Sequence, residues 1–140
     1  MPIVDLLPTG PIGDAAHADA FLELAYLMTA ADGRFSEEER RAYAQILTRV
    51  RGTPCNAADV DAIVQKFARS GVQANDRVRQ LGPTLPLELK EAAFKVAIGL
   101  ALVDNDASPH EDAMMHVFFE ALGLDPARAE ALATEARGMR

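Results

Sequence analysis

One hundred and forty residues, 49% of them hydrophobic, give one domain with enough apolar surface for a real core. The formal net charge of −7 argues against nucleic acid, anionic membrane surfaces and acidic substrates, and leaves cations and basic partner surfaces open. Cys55 is the single cysteine, which excludes an intramolecular disulfide and a thiolate metal cluster.

Residues 1–14 read as an irregular Pro/Gly leader and residues 15–140 as one helical domain. The leader lacks a positive region followed by an apolar core, so it does not read as a signal peptide. Asp14 opens a first helix expected to run to about Ala31. Ser36 opens the second, with Glu39 three residues on; in this capping-box pattern side chain and backbone satisfy each other's orphan groups. The core face of the second helix is Tyr43, Ile46, Leu47 and Val50, and Gly52-Thr53-Pro54 ends it.

Asn56 caps a third helix with Val60, Ile63, Val64 and Phe67 inward, stopped by Ser70-Gly71. Asn75 is the expected cap of a short fourth helix carrying Val78 and Leu81, and Gly82-Pro83 breaks it. The fifth helix starts near Pro86, a residue suited to a first turn, and continues to about Val103. Ser108, Pro109 and Glu111 start the sixth with a second capping box. Its core stripe is Met114, Val117, Phe118, Ala121 and Leu122, and Gly123 closes it. Asp125-Pro126 begins a seventh with Ala129, Leu132, Ala133 and Ala136 inward. No stretch sustains period-two alternation, so the expected class is all-α.

The second and sixth of these segments belong to a unit that occurs twice. AFLELAYLMTAADGRFSEEERRAYAQILTRV (about 20–50) and AAFKVAIGLALVDNDASPHEDAMMHVFFEAL (about 92–122) align at an offset of 72 residues. In that alignment Asp32, Ser36 and Glu39 fall on Asp104, Ser108 and Glu111. A compact domain built from a duplicated helix-loop-helix unit follows. The apolar half of each unit is a helix hydrophobic nearly all round, which demands burial on most sides. Its only charge is Glu23 in the first copy and Lys95 in the second. The two either pair near a pseudo-twofold axis or each reach solvent separately. The apolar runs Leu24–Ala31 and Val96–Val103 fall short of the ~20 residues that span a bilayer. No membrane insertion is expected, and a cytoplasmic location is the default.

The acidic loops admit two readings. Asp32-Gly33 and Asp104-Asn105 are good turn dipeptides, and both Ser/Glu pairs are accounted for as capping boxes, so the loops can be helix punctuation. Against this, Asp32, Asp104 and Asp106 follow helix C-termini, where partial negative charge and free carbonyls make carboxylates unfavourable. A bound cation would compensate. The donors are all oxygen, which points to calcium, magnesium or manganese. Arg34 is the competing, metal-free counter-charge. The second loop is not an EF-hand: Pro109 stands where the sixth position needs Gly, and Met115 where the twelfth needs Glu.

The run Ala30-Ala31-Asp32-Gly33-Arg34-Phe35-Ser36-Glu37-Glu38-Glu39, followed later by Asp104, Ser108, Glu111 and Leu122-Gly123-Leu124, resembles the TerB-like domain of tellurite-resistance proteins. The resemblance extends from roughly Ala15 to the C-terminus. It implies a compact all-helical cytoplasmic domain and an acidic metal site. It also implies a role in stress or metal-response assemblies, with other proteins as partners, rather than catalysis. The family's acidic positions carry over to Asp32, Glu39, Asp104 and Glu111. Two departures fall in the second copy: Asn105 stands where the family usually has Gly, and Asp106 is an additional acid.

Other constellations are weaker. His17, His110 and His116 are too scattered for a ligand set, and no HxxxH spacing supports zinc. Cys55 has no adjacent His or Lys and reads as a small loop residue. Arg40, Arg41, Arg49 and Arg51 read as a solvated face interspersed with acids. No nucleophile–base arrangement, phosphate loop or dinucleotide fingerprint is present, so no enzyme is expected. The expected function is a non-catalytic, divalent-cation-binding, stress-associated domain with metal ligands from Asp32, Glu39, Asp104, Asp106 and Glu111. The alternative is a metal-free helical adaptor; a small carboxylate-dependent hydrolase ranks last.

Ser36→Ala and Ser108→Ala should each lower stability by about 0.5–2 kcal/mol, the usual cost of losing an N-cap. Unchanged denaturation midpoints would show that neither residue caps.

Overall fold

The structure is a computed structural model and describes residues 12–29, 37–69, 73–102 and 109–137; the side chains at 28, 29, 101, 102, 109–115 and 137 lie outside that description. Among the described residues there are seven α-helices and no strand. They are α1 (Ala15–Thr29), α2 (Glu37–Arg51), α3 (Ala57–Ala68), α4 (Ala74–Leu81), α5 (Leu87–Leu102), α6 (Pro109–Leu122) and α7 (Pro126–Arg137). A 3₁₀ turn, Gly82–Thr84, follows α4 directly. The starts of α1 and α5, and those of α2 and α6, are both 72 positions apart.

Helix boundaries follow local chemistry. The Asp14 carboxylate accepts the His17 N–H at 3.0 Å, which fixes the start of α1 and holds the Asp14 carboxyl below the usual range. Asn56 and Asp59 form a reciprocal capping box at α3: the Asp59 N–H donates to Asn56 Oδ1, and the Asn56 N–H donates to Asp59 Oδ2. Asp125 accepts the Arg128 N–H at the start of α7. Gly52 and Gly123 adopt φ of 74° and 64° after α2 and α6, the left-handed conformation that stops a helix without a Cβ penalty.

One boundary differs from expectation. Asn75 is not a cap: α4 begins at Ala74, and Gln73 holds the cap position in extended backbone with no side-chain hydrogen bond. The turn at Gln73 is therefore set by the packing of α4, with Val78 completely buried, and not by a polar cap. α5 does start near Pro86: Leu87 is its first residue, and the Pro86 carbonyl accepts the Lys90 N–H at 2.9 Å. The ends expected at Ala31 and Val103, and the Ser36 and Ser108 capping boxes, lie outside the described residues.

α1 is the hub. It packs against α2, α4, α5, α6 and the 3₁₀ turn, as a helix apolar on nearly every side requires. Phe21, Leu22 and Leu24 are buried on it, facing a core that includes Ile46, Leu47, Val96, Leu100 and Phe118. α1 and α2 form an antiparallel hairpin: Tyr43 lies level with Leu22, and the Ile12 N–H reaches the Val50 carbonyl at the other end. α2 and α3 are antiparallel too, as Arg40 pairs with Asp61 while the Cys55 N–H donates to Thr48 Oγ1. α7 lies parallel to α5, joined to it by Glu91–Arg128 and, further along both helices, Lys95–Glu135. The Arg128 guanidinium holds the Glu91 carboxyl below the usual range.

The end of α4 comes close to α6. A Cβ built on Gly82 would sit 2.9 Å from the Ala121 carbonyl oxygen, so only glycine lets the end of α4 approach α6 this closely. Gly82→Ala should cost about 1–3 kcal/mol, the range for overpacking a close interface. Urea unfolding would test it; an unchanged midpoint would mean that α4 shifts freely on α6.

Candidate functional site

The acidic residues singled out from the sequence are only partly within the described structure. Asp32, Asp104 and Asp106 lie outside the described residues, as does the competing Arg34. Glu111 belongs to the first turn of α6 by its backbone, but its side chain lies outside the description. Glu39 is the described member. It is the third residue of α2 and only 4% exposed, while Glu37 and Glu38 beside it face solvent. A carboxylate there benefits from the positive end of the helix, and burial obliges it to have a polar partner, which it has.

Backbone positions define the frame for the loops. Seven residues connect Thr29 to Glu37 and six connect Leu102 to Pro109. The two helices that run into these acidic segments, α1 and α5, pack directly against each other, and α1 also touches α6. Among the described residues, no group of three or more His, Cys, Asp or Glu side chains is placed to hold a metal. By donor chemistry alone, the three aspartates and two glutamates suit a hard cation and not zinc.

Below Glu39 lies a buried polar array between α1, α2 and α4. The Tyr43 hydroxyl donates to the Leu22 carbonyl at 2.6 Å, and burial pushes its phenol well above the ordinary tyrosine range. The nearby Glu23 charge acts on Tyr43 in the same direction. Glu23 in turn takes a two-pronged ion pair from Arg77 on α4: Nη2 donates to Oε1 at 2.9 Å and Nε donates to Oε2. This corrects the expected alternatives for Glu23 and Lys95. The two do not pair with each other, and Glu23 does not reach solvent; Lys95 instead joins Glu135 at 3.2 Å. The physical reason is that Glu23 lies on the α4 side of α1, where burial of the carboxylate requires a cation. Sequence reasoning missed Arg77, although a lone charge on an otherwise apolar helix signals that some distant cation must meet it.

A second polar surface lies on the outer side of α2 against the start of α3. Two open clefts meet at Ala44. One, about 480 Å³, is bordered by Glu37, Arg40, Arg41 and Ala57. The other, about 290 Å³, is bordered by Gln45, Thr48, Arg49 and Cys55. Arg40 pairs with Asp61 and Arg41 with Glu37, both at exposed positions. Acids stand among these arginines on the exposed face: the partners come from α3 and from the first turn of α2. Cys55 is half-buried, its thiol donating to the Thr53 carbonyl at 3.3 Å, in keeping with a small loop residue. His116 pairs with Glu120 on the surface of α6, away from any ligand cluster among the described residues.

These features define an all-helical domain whose central apolar helices end in acidic segments. The family model described as "Tellurite resistance protein TerB" matches residues 18–134, most of the chain. The chain belongs to the TerB family. No curated protein and no solved structure matches it.

Arg77→Met would leave the Glu23 carboxylate buried and unpaired. We expect a loss of roughly 3 kcal/mol, the lower end of the ~3–5 kcal/mol for breaking a buried pair, because Arg77 keeps partial exposure. Glu23→Leu/Arg77→Met should recover most of that loss in urea unfolding. Additive losses in the double variant would show that the two residues do not form a coupled pair.

Proposed function

We propose that this TerB-family domain is a non-catalytic module that binds a divalent cation through its acidic loops, within a stress- or metal-response assembly of other proteins. The observation that carries the reading is the direct packing of α1 on α5, the two helices that lead into Asp32 and into Asp104 and Asp106. In this reading the acids that follow these two neighbouring helices at equivalent sequence positions form a shared, strongly negative surface. The burial of Glu39 in the first turn of α2 adds a carboxylate held at one of these segments. In this reading Asp32, Asp104 and Asp106 are the principal ligands. Glu39 and Glu111 contribute less in this reading, because the Ser-x-x-Glu pattern of the sequence assigns each of them to a capping box. The ligand class is oxygen-seeking: calcium, magnesium or manganese.

The second reading is a metal-free adaptor that binds another protein, and the groove between α2 and α3 favours it. The two readings use different faces of the sequence and are separable.

Affinity on the cation reading is modest, weaker than the ~10⁻⁷–10⁻⁵ M of calcium sensors, because the chain has no EF-hand scaffold. Thermal melting in calcium, magnesium and manganese series should raise the melting temperature of the wild type by mass action, about 2.7 kcal/mol of stabilisation at a hundred times Kd. Asp32→Asn/Asp104→Asn should abolish the rise. A wild type unmoved by millimolar cation, together with a more stable Asp32→Asn apo protein, would sink the cation reading and leave the adaptor.

A further inference from the structure

Among the described residues α4 is the shortest α-helix, eight residues from Ala74 to Leu81. Isolated helices below ~12–15 residues are marginal in water, so α4 exists through its contacts. Val78 is its one buried side chain, whereas α2, α3 and α7 each bury three or more. Leu81 is only partly covered, and Asn75, Asp76, Arg79 and Gln80 face solvent. No side chain caps the start at Gln73. Gln73 and Leu85, both extended with ψ of 146°, bracket α4 and its 3₁₀ turn like two hinges. The core holds together without this unit, because α1 packs directly on α2, α5 and α6 as well.

We propose that α4 and its 3₁₀ turn open as a unit ahead of the rest of the domain, with the Glu23–Arg77 pair as the latch. This goes beyond the cation reading and does not depend on it. In the closed form both guanidinium prongs hold Glu23, and Arg77 Nη1 donates to Gln80 Oε1 at 3.2 Å. Burying such a pair costs hydration of both charges, and their attraction does little more than offset that cost. On opening both charges regain water, so the pair adds little net stability to closure. Its effect is on the alternatives: with Arg77 absent or displaced, closing α4 would bury Glu23 without a counter-charge. The pair therefore fixes where α4 closes. Ease of opening is left to the small area buried by Val78 and Leu81 and to the approach of Gly82 to Ala121. Segments with few buried apolar contacts open at a lower free energy than the core around them. Opening uncovers the side of α1 that bears Glu23. Glu23 is the only charge between Ala20 and Thr29, so the open form presents an apolar face with a single carboxylate that the closed form hides.

The test is hydrogen–deuterium exchange of the full chain, read by mass spectrometry over a urea series below the unfolding transition. With intrinsic rates divided out, the amides of residues 77–82 should exchange at least tenfold faster than those of residues 22–26 in α1. Their rates should also depend less steeply on urea, because a partial opening exposes less surface than global unfolding. Arg77→Met should speed α4 a further tenfold or more, since closure then buries a bare carboxylate. Arg77→Lys keeps the charge and loses the two-pronged fork; it should fall between, and it serves where Arg77→Met does not fold. Glu23→Leu/Arg77→Met should return α4 to wild-type protection or better. Lys95→Met, which breaks the α5–α7 pair in both the closed and open forms, should leave α4 within twofold. Equal rates and equal urea dependence for α4 and α1 in the wild type would overturn the proposal, since α4 would then open only with the whole domain. So would α4 exchange that neither Arg77 variant moves, or that Lys95→Met speeds as much as Arg77→Met does.

Discussion

A helix that is apolar on nearly every side cannot stand at a surface, and α1 forces the rest of the chain to arrange itself around it. Phe21, Leu22, Leu24 and Ala25 face different directions, and all are buried. α2, α4, α5 and α6 supply the cover. The one charge in the buried stretch, Glu23, then requires a counter-ion, and Arg77 provides it from a helix of only eight residues. α4 is thereby fixed twice, by its ion pair to α1 and by the close approach of Gly82 to Ala121 on α6. Burial of α1 comes first in this hierarchy, and the polar pair is a condition that burial imposes.

The second long apolar helix, α5, meets the same demand differently. It is covered by α1, α6 and α7, and its charges remain near its edge, where Glu91 and Lys95 hold α7 alongside. These two pairs cross the same interface with opposite polarity, Glu91 to Arg128 and Lys95 to Glu135. An alignment of α7 shifted by one turn would lose both, so they specify position more than they add stability. Surface pairs of this kind contribute little energy individually.

Much of the fold was legible in the sequence because helix punctuation is local. Asp14, Asn56, Gly52, Gly123 and Asp125 act on residues within four positions, and each boundary follows from its side chain or its backbone freedom. The inward faces of α2 and α7 followed from spacing, since Tyr43, Ile46, Leu47 and Val50, then Ala129, Leu132, Ala133 and Ala136, are all buried. The start of α4 was not legible: Asn75 has the right chemistry two positions too late, and packing of Val78 sets the helix. The partner of Glu23 was not legible either, because 54 residues separate it from Arg77 and no periodicity spans that distance. Of the acidic site, the sequence shows the donors and their repetition. Glu39 is the ligand candidate with a described side chain, and its burial was not predictable from a capping-box pattern that usually sits at the surface.

α2 carries three acids in its first turn and arginines at positions 40, 41, 49 and 51, so charge is polarised along this one helix in a chain of net charge −7. In the field of a charged neighbour such a body does not tumble at random; it turns before it touches. A charged surface approaching that helix meets its acidic first turn and its basic last turn with opposite sign, which biases the orientation of an encounter. That selectivity acts on the frequency of productive encounters, not on the strength of the final contact, and it fades as added salt shortens the Debye length.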